Sequence, residues 1–150
     1  WNDDVEFVIS MIVKTIKSLK VTDNEDVSLM PLFKNEEDKD FTKKLFRKSV
    51  LNHKENESLI SGFIKNWDVE RVAFMDIMIM SLALTEIKEF SEIPVKVSLD
   101  EYIEIAKFYS TEKSNVFING VLDKIVEHLK SEGKIKKTGR GLIGEIEQKE

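Results

Sequence analysis

Apolar residues recur along this chain at the spacing of one helix face, segment after segment. Val5, Val8, Ile9, Ile12, Ile16 and Leu19 form the first such stripe, with Asp3 or Asp4 placed to cap it. Val21 to Asn35 reads as a connection in which Leu29-Met30-Pro31-Leu32-Phe33 packs as a short turn. Glu36-Glu37-Asp38 then puts acids in the first turn of a second helix, where the helix dipole favours them. Phe41, Leu45, Phe46 and Val50 mark its buried face. Beyond the polar linker Asn52 to Glu57, Leu59, Ile60, Phe63 and Ile64 predict a shorter third helix.

The next segment differs in kind. From Val72 to Leu84 the chain is apolar almost all round the helix, the pattern of a central element surrounded by others. Asp68 is placed to cap it and Trp67 to pack on Val72 as a hydrophobic staple. Pro94 forbids a simple helical continuation, so Ile93-Pro94-Val95-Lys96-Val97 reads as an extended link. Ser98 and Glu101 have capping-box spacing and open a helix through Ile103, Ile105, Ala106 and Tyr109. After Ser110-Thr111 comes a last stripe, Phe117, Ile118, Val121, Leu122, Ile125, Val126 and Leu129, with Gly133 as its stop. No strand pattern of any length interrupts the series. The prediction is an all-α fold, a compact bundle of about six helices, as one domain or as two closely packed halves sharing a core. It assigns residues 1–133 to the helical domain, with 134–150 as a flexible charged tail.

Composition sharpens this in three ways. With 41% hydrophobic and 34% charged residues over 150 positions, the chain has the apolar surface for a real core. Cysteine is absent, which agrees with a reducing cytoplasm and removes disulfide and thiol chemistry. The opening Trp1-Asn2-Asp3-Asp4 is not a secretory signal, and the missing initial Met fits a piece of a longer chain or a processed form. Val72 to Leu84 is too short for a bilayer and carries Asp76 and Ser81, so no membrane partner is expected. A formal charge of −5 weighs against nucleic-acid binding unless cations are gathered locally.

Catalytic chemistry has little to work with. His53 lies in the polar linker, and His128 sits near a helix end with Glu132 one turn on; two ligands do not make a metal site. Met75, Met78 and Met80 fit core filling better than a cofactor box. No phosphate loop or nucleophile elbow occurs, so neither catalysis nor a cofactor is expected. Asp76 interrupts the apolar run, and either faces solvent, the simpler reading, or makes a buried contact. Gly120 costs its helix about 1 kcal/mol relative to Ala, which a close approach of backbone or ligand would offset. Lys113, Ser114, Asn115 and Asn119 surround Phe117 near the start of this helix. They read either as a phosphate cradle beside a base-stacking ring or as caps around a core phenylalanine.

Three collinear blocks carry a resemblance. They are Asn66-Trp67-Asp68-Val69-Glu70-Arg71-Val72-Ala73 with Asp76 and Glu86, the stretch from Ile93 to Lys107, and the stretch from Thr111 to Ile125. Together they resemble the NusB family of transcription antitermination proteins, most strongly over residues 66–125. The resemblance implies a non-catalytic factor that joins a NusE-type ribosomal protein, binds a boxA-type RNA and acts on the RNA polymerase elongation complex. It assigns Lys113, Ser114, Asn115, Phe117, Asn119 and Gly120 to the surface that meets RNA, and Asp76 to an acidic position of the same assembly. The chain departs from the pattern at its opening, where Asp3, Asp4 and Glu6 stand in place of an Arg-rich helix and no Arg precedes Arg47. Ser81 and Val116 occupy positions that are often basic in the family. The second reading is therefore a helical protein-docking scaffold with little RNA affinity of its own. Lys134, Lys136, Lys137 and Arg140 are cations that a tail could lend to RNA.

Overall fold

The computed structural model describes residues 5–20, 33–64 and 72–144. It is all-α among them, with five α-helices and a short 3-10 turn at Gly139–Leu142. The chain divides into two compact units, Trp1–Phe41 and Thr42–Glu150. In the first, α1 (Val5–Ser18) carries the predicted stripe, and Ser10, Thr15 and Ser18 turn their hydroxyls back onto carbonyls of their own helix. The proposed caps at Asp3 or Asp4, Leu29 to Leu32 of the predicted turn, and Trp67 and Asp68 lie outside the described residues; the helix that Asp68 was expected to cap begins at Phe74 with Ala73 as its N-cap, so Asp68 does not cap it.

Five helices stand where six were expected, because α2 runs unbroken from Glu36 to Phe63. Asn35 caps it, its Oδ1 accepting from the Asp38 amide at 2.7 Å. The stretch read as a polar linker is a helical seam. Asn56 is fully buried and donates to the Ser81 carbonyl at 3.1 Å and to Thr85 Oγ1 at 2.9 Å, while Asn52 donates to Glu89 at 3.1 Å. Polar residues at helical spacing look like a loop until their partners on another helix are known.

Those partners belong to α3 (Phe74–Glu89), which is central as predicted: every position from Ile79 to Ile87 except Leu82 is buried. α4 (Val95–Tyr109) and α5 (Ser114–Ser131) pack around it with the end of α2. Ile60, Ile64, Ile79, Met80, Leu84, Ala106, Ile118, Leu122 and Ile125 form one core from all four helices. α5 ends as predicted at Gly133, whose φ of +66° suits a residue without Cβ. Its amide donates to the Lys130 carbonyl and the Lys134 amide to that of Leu129, a Schellman closure.

Two local readings need correction. α4 starts four residues earlier than the capping box suggested, with Pro94 as its N-cap rather than the middle of an extended link. A proline's missing N–H costs nothing at a helix start, so the chain enters the helix directly. Ser98 is accordingly no cap. Its hydroxyl is buried within α4 and donates to Glu86 Oε1 at 2.7 Å, and Tyr102 donates to Glu86 Oε2 at 2.9 Å. Burial, reinforced by the Glu86 charge, pushes the Tyr102 hydroxyl well above its ordinary ionisation range. An acid group whose folded-state pKa is raised keeps its contribution below the unfolded value and loses it as pH rises. Stability should therefore fall once pH passes about 10, where the unfolded tyrosine ionises. In Tyr102→Phe that alkaline limb should flatten in urea titrations at pH 8 to 11. An unchanged limb would exclude Tyr102 as its source.

The segment beyond α5 also differs from a free tail. As far as Gly144 it lies along the turn between α3 and α4. Ile135 packs on the core, Lys137 Nζ donates to the Phe90 carbonyl at 3.0 Å, and the Thr138 amide donates to Ser91 O at 3.0 Å. A Cβ on Gly141 would sit 2.0 Å from the Ser91 carbonyl oxygen, so only glycine fits there. Gly141→Ala should cost about 1–3 kcal/mol through this clash. Hydrogen exchange should accelerate at the Thr138 amide while the helix interiors stay protected. Unchanged protection at Thr138 would show that the strap absorbs the methyl in place.

Candidate functional site

The Lys113–Gly120 block opens α5 directly after the turn from α4. Lys113 is the N-cap and makes no side-chain cap bond. Ser114 is 2% exposed, and its hydroxyl is committed locally, accepting from the Thr111 amide at 3.2 Å and lying 2.6 Å from Thr111 Oγ1. It shapes the turn rather than the surface. Phe117 is half-buried and packs against the core through part of its ring. The ring is therefore neither wholly core nor wholly exposed.

Helical geometry divides the remaining residues. At about 100° per residue, positions two apart lie nearly opposite each other around the axis. Phe117 and Asn115 therefore flank the exposed face from opposite sides. Lys113 and Gly120 lie toward the Phe117 flank, and Asn119 follows Asn115 at i+4. Lys113, Asn119 and Gly120 are exposed, Asn115 is half-buried, and Val116 between them is 73% exposed. Among the described residues nothing lies within 4 Å of where a Gly120 Cβ would be, so no described backbone explains that glycine. The face has an aromatic edge, a cation, two amides and an open glycine, which together could receive a nucleotide strand.

Asp76 does not face solvent, contrary to the simpler expectation. It is 4% exposed in the first turn of α3, and its Oδ1 accepts from the hydroxyl of Ser110, the C-cap of α4. Ser110 leads into Thr111 and Ser114. The Asp76–Ser110 contact thus ties the start of α3 to the turn that presents Lys113. Asp76 makes a buried contact with the residue that ends α4, which its place in an apolar run could not reveal.

His128 Nε2 lies 3.3 Å from Glu132, and its ring is tilted against Phe63 at 5.4 Å between centroids. No group of three His, Cys, Asp or Glu occurs among the described residues that could hold a metal ion. Met80 is core, Met78 is half-buried and Met75 is 39% exposed, so the three do not converge. No helix among the described residues is long and apolar enough to cross a membrane.

The model of the NusB family matches residues 6–127. The chain belongs to the NusB family. A transcription antitermination protein NusB of Salinibacter ruber is 39% identical over 139 residues, covering 89% of this chain and 87% of that protein. One of Chloroherpeton thalassium is 40% identical over 105 residues, covering 70% of this chain but half of that protein's length. Among solved structures, T. maritima NusB superposes with a TM-score of 0.59 at 32% identity, covering 66% of this chain and 70% of that one. NusB membership accounts for the three collinear blocks. Asp76 belongs to the first of those blocks and the Lys113–Gly120 face to the third, and Ser110 lies in the turn between the second and the third.

Proposed function

We propose that this NusB-family chain is a non-catalytic transcription antitermination factor that binds a boxA-type RNA together with a NusE-type ribosomal protein. It acts from within the RNA polymerase elongation complex in the cytoplasm. The observation that carries the reading is the exposed face of α5, where Lys113, Asn119 and Gly120 stand open between Phe117 and Asn115. Asp76 supports it from beneath through Ser110. The relatives' name, transcription antitermination protein, supplies the biological process.

In a transcription reaction with a boxA element upstream of a terminator, adding the chain with the NusE-type protein should raise read-through. Phe117→Ala combined with Asn119→Ala should abolish the increase while leaving the helical fold intact. Read-through equal with and without the chain would sink the antitermination reading. Formation of a complex with the partner, but never with RNA, would favour the scaffold reading instead.

A further inference from the structure

A second feature bears on where RNA phosphates would be held. From Phe41 to Lys54 the chain contains Lys43, Lys44, Arg47, Lys48 and Lys54 and no acidic residue, although the protein as a whole is acidic at −5. This stretch is helical throughout, within α2. Two of its cations have fixed structural duties at the end of α3. Lys44 Nζ stands 4.7 Å over the Phe90 ring, and Lys48 bonds Glu89 at 2.9 Å, holding that carboxyl below its ordinary range. The others have none. Lys43, Arg47 and Lys54 are exposed and make no ion pair among the described residues.

Spacings of four and seven residues place those three on one edge of α2. From the first to the last the helix rises about 16 Å, room for several successive phosphates. Phe46, 71% exposed, stands one turn from Lys43 and offers a ring face to a base. Cations along one helix edge beside an exposed aromatic are what a single nucleic-acid strand needs: counterion release for affinity, and stacking that tolerates any base. Of the acids nearest the stretch, Asp40 precedes it and is exposed, and Glu55, which follows it, pairs with Lys88.

We propose that the Lys43–Arg47–Lys54 edge of α2, with Phe46, is a binding track for the phosphate backbone of single-stranded RNA. It supplies phosphate contacts that the acidic opening of this chain does not. The inference rests on the proposed RNA-binding function and adds to it a sequence-independent contact, away from the α5 face.

The test is a salt titration of RNA binding by the whole chain, using a boxA-like RNA and a polyuridine strand of equal length. Lys43→Gln/Arg47→Gln/Lys54→Gln should weaken both RNAs at low salt by on the order of tenfold or more. The slope of log K against log salt should shrink by about 2, since each single-strand phosphate contact contributes about 0.7. A control triple, Lys96→Gln/Lys107→Gln/Lys124→Gln, makes the same net charge change on α4 and α5 and should leave the slope nearer that of the parent. Equal losses in the two triples would reduce the effect to net charge and overturn the track. If the α2 triple keeps the parent's affinity and slope while Phe117→Ala weakens the boxA-like RNA, the track falls and the α5 reading stands. The stretch would then be left to an acidic protein partner. If the parent chain binds neither RNA, the RNA reading and the track fail together.

Discussion

Replacing Glu86 by leucine should destabilise the protein by about 3–5 kcal/mol. The carboxylate is buried on α3 and accepts from Ser98 at 2.7 Å and Tyr102 at 2.9 Å, both on α4. Leucine would remove two hydrogen bonds to a charged group and leave two hydroxyls buried without their acceptor, at about 1–3 kcal/mol for each unsatisfied group. Glutamine is the informative comparison. Its oxygen can still accept from one hydroxyl while its amide nitrogen cannot accept from the other, so roughly half the loss should remain. A double-mutant cycle with Tyr102→Phe should show coupling, because the two changes remove the same bond. Additive losses would mean that the Glu86–Tyr102 contact contributes nothing of its own.

Leu84→Ala should cost about 3–5 kcal/mol in the same denaturation experiment. Leu84 is fully buried in the helix that the other three surround, within a core drawn from α2 to α5. A cavity there borders packed atoms on every side, and the surrounding helices relax only partially into it. Val97→Ala, 46% exposed on α4, removes apolar atoms where no cavity can form and should stay within about 0.5 kcal/mol. Similar losses at the two sites would contradict the assignment of α3 as the centre of the fold.

Much of this architecture was legible because apolar periodicity and burial coincide. The stripe from Ile118 to Leu129 is the buried face of α5, and the all-round apolar run is α3. Legibility failed where polar side chains carry the packing. Asn52 and Asn56 look like linker residues in sequence, yet they bind α2 to α3. Ser98 mimics a cap because its distance to Glu101 is right, while its true partner, Glu86, lies twelve positions back on another helix. Pro94 signals a break and begins a helix. The strap beyond α5 is held by Ile135, Lys137, Thr138 and a glycine that must pass a carbonyl, and composition alone describes such a segment as a tail.

The candidate site divides along the same line. The Lys113–Gly120 block stands out as a motif because its residue types and spacing are local properties of one segment. Its three-dimensional sense is not local. Ser114 turns inward to Thr111, Asp76 accepts from Ser110, and Asn115 and Phe117 stand on opposite flanks of one exposed face. The α2 cations escaped the sequence reading for a different reason. A run of lysines on a helix is ordinarily a solvated face, and it gains meaning only once the partners of its neighbours are known.

The most direct measurement is equilibrium binding of the whole chain to a boxA-like RNA, with and without the NusE-type protein, against a scrambled RNA of the same length. The account predicts that the boxA-like strand is preferred, that the partner tightens its binding, and that Phe117→Ala lowers that preference. Equal binding of the boxA-like and scrambled RNAs in the presence of the partner would contradict it.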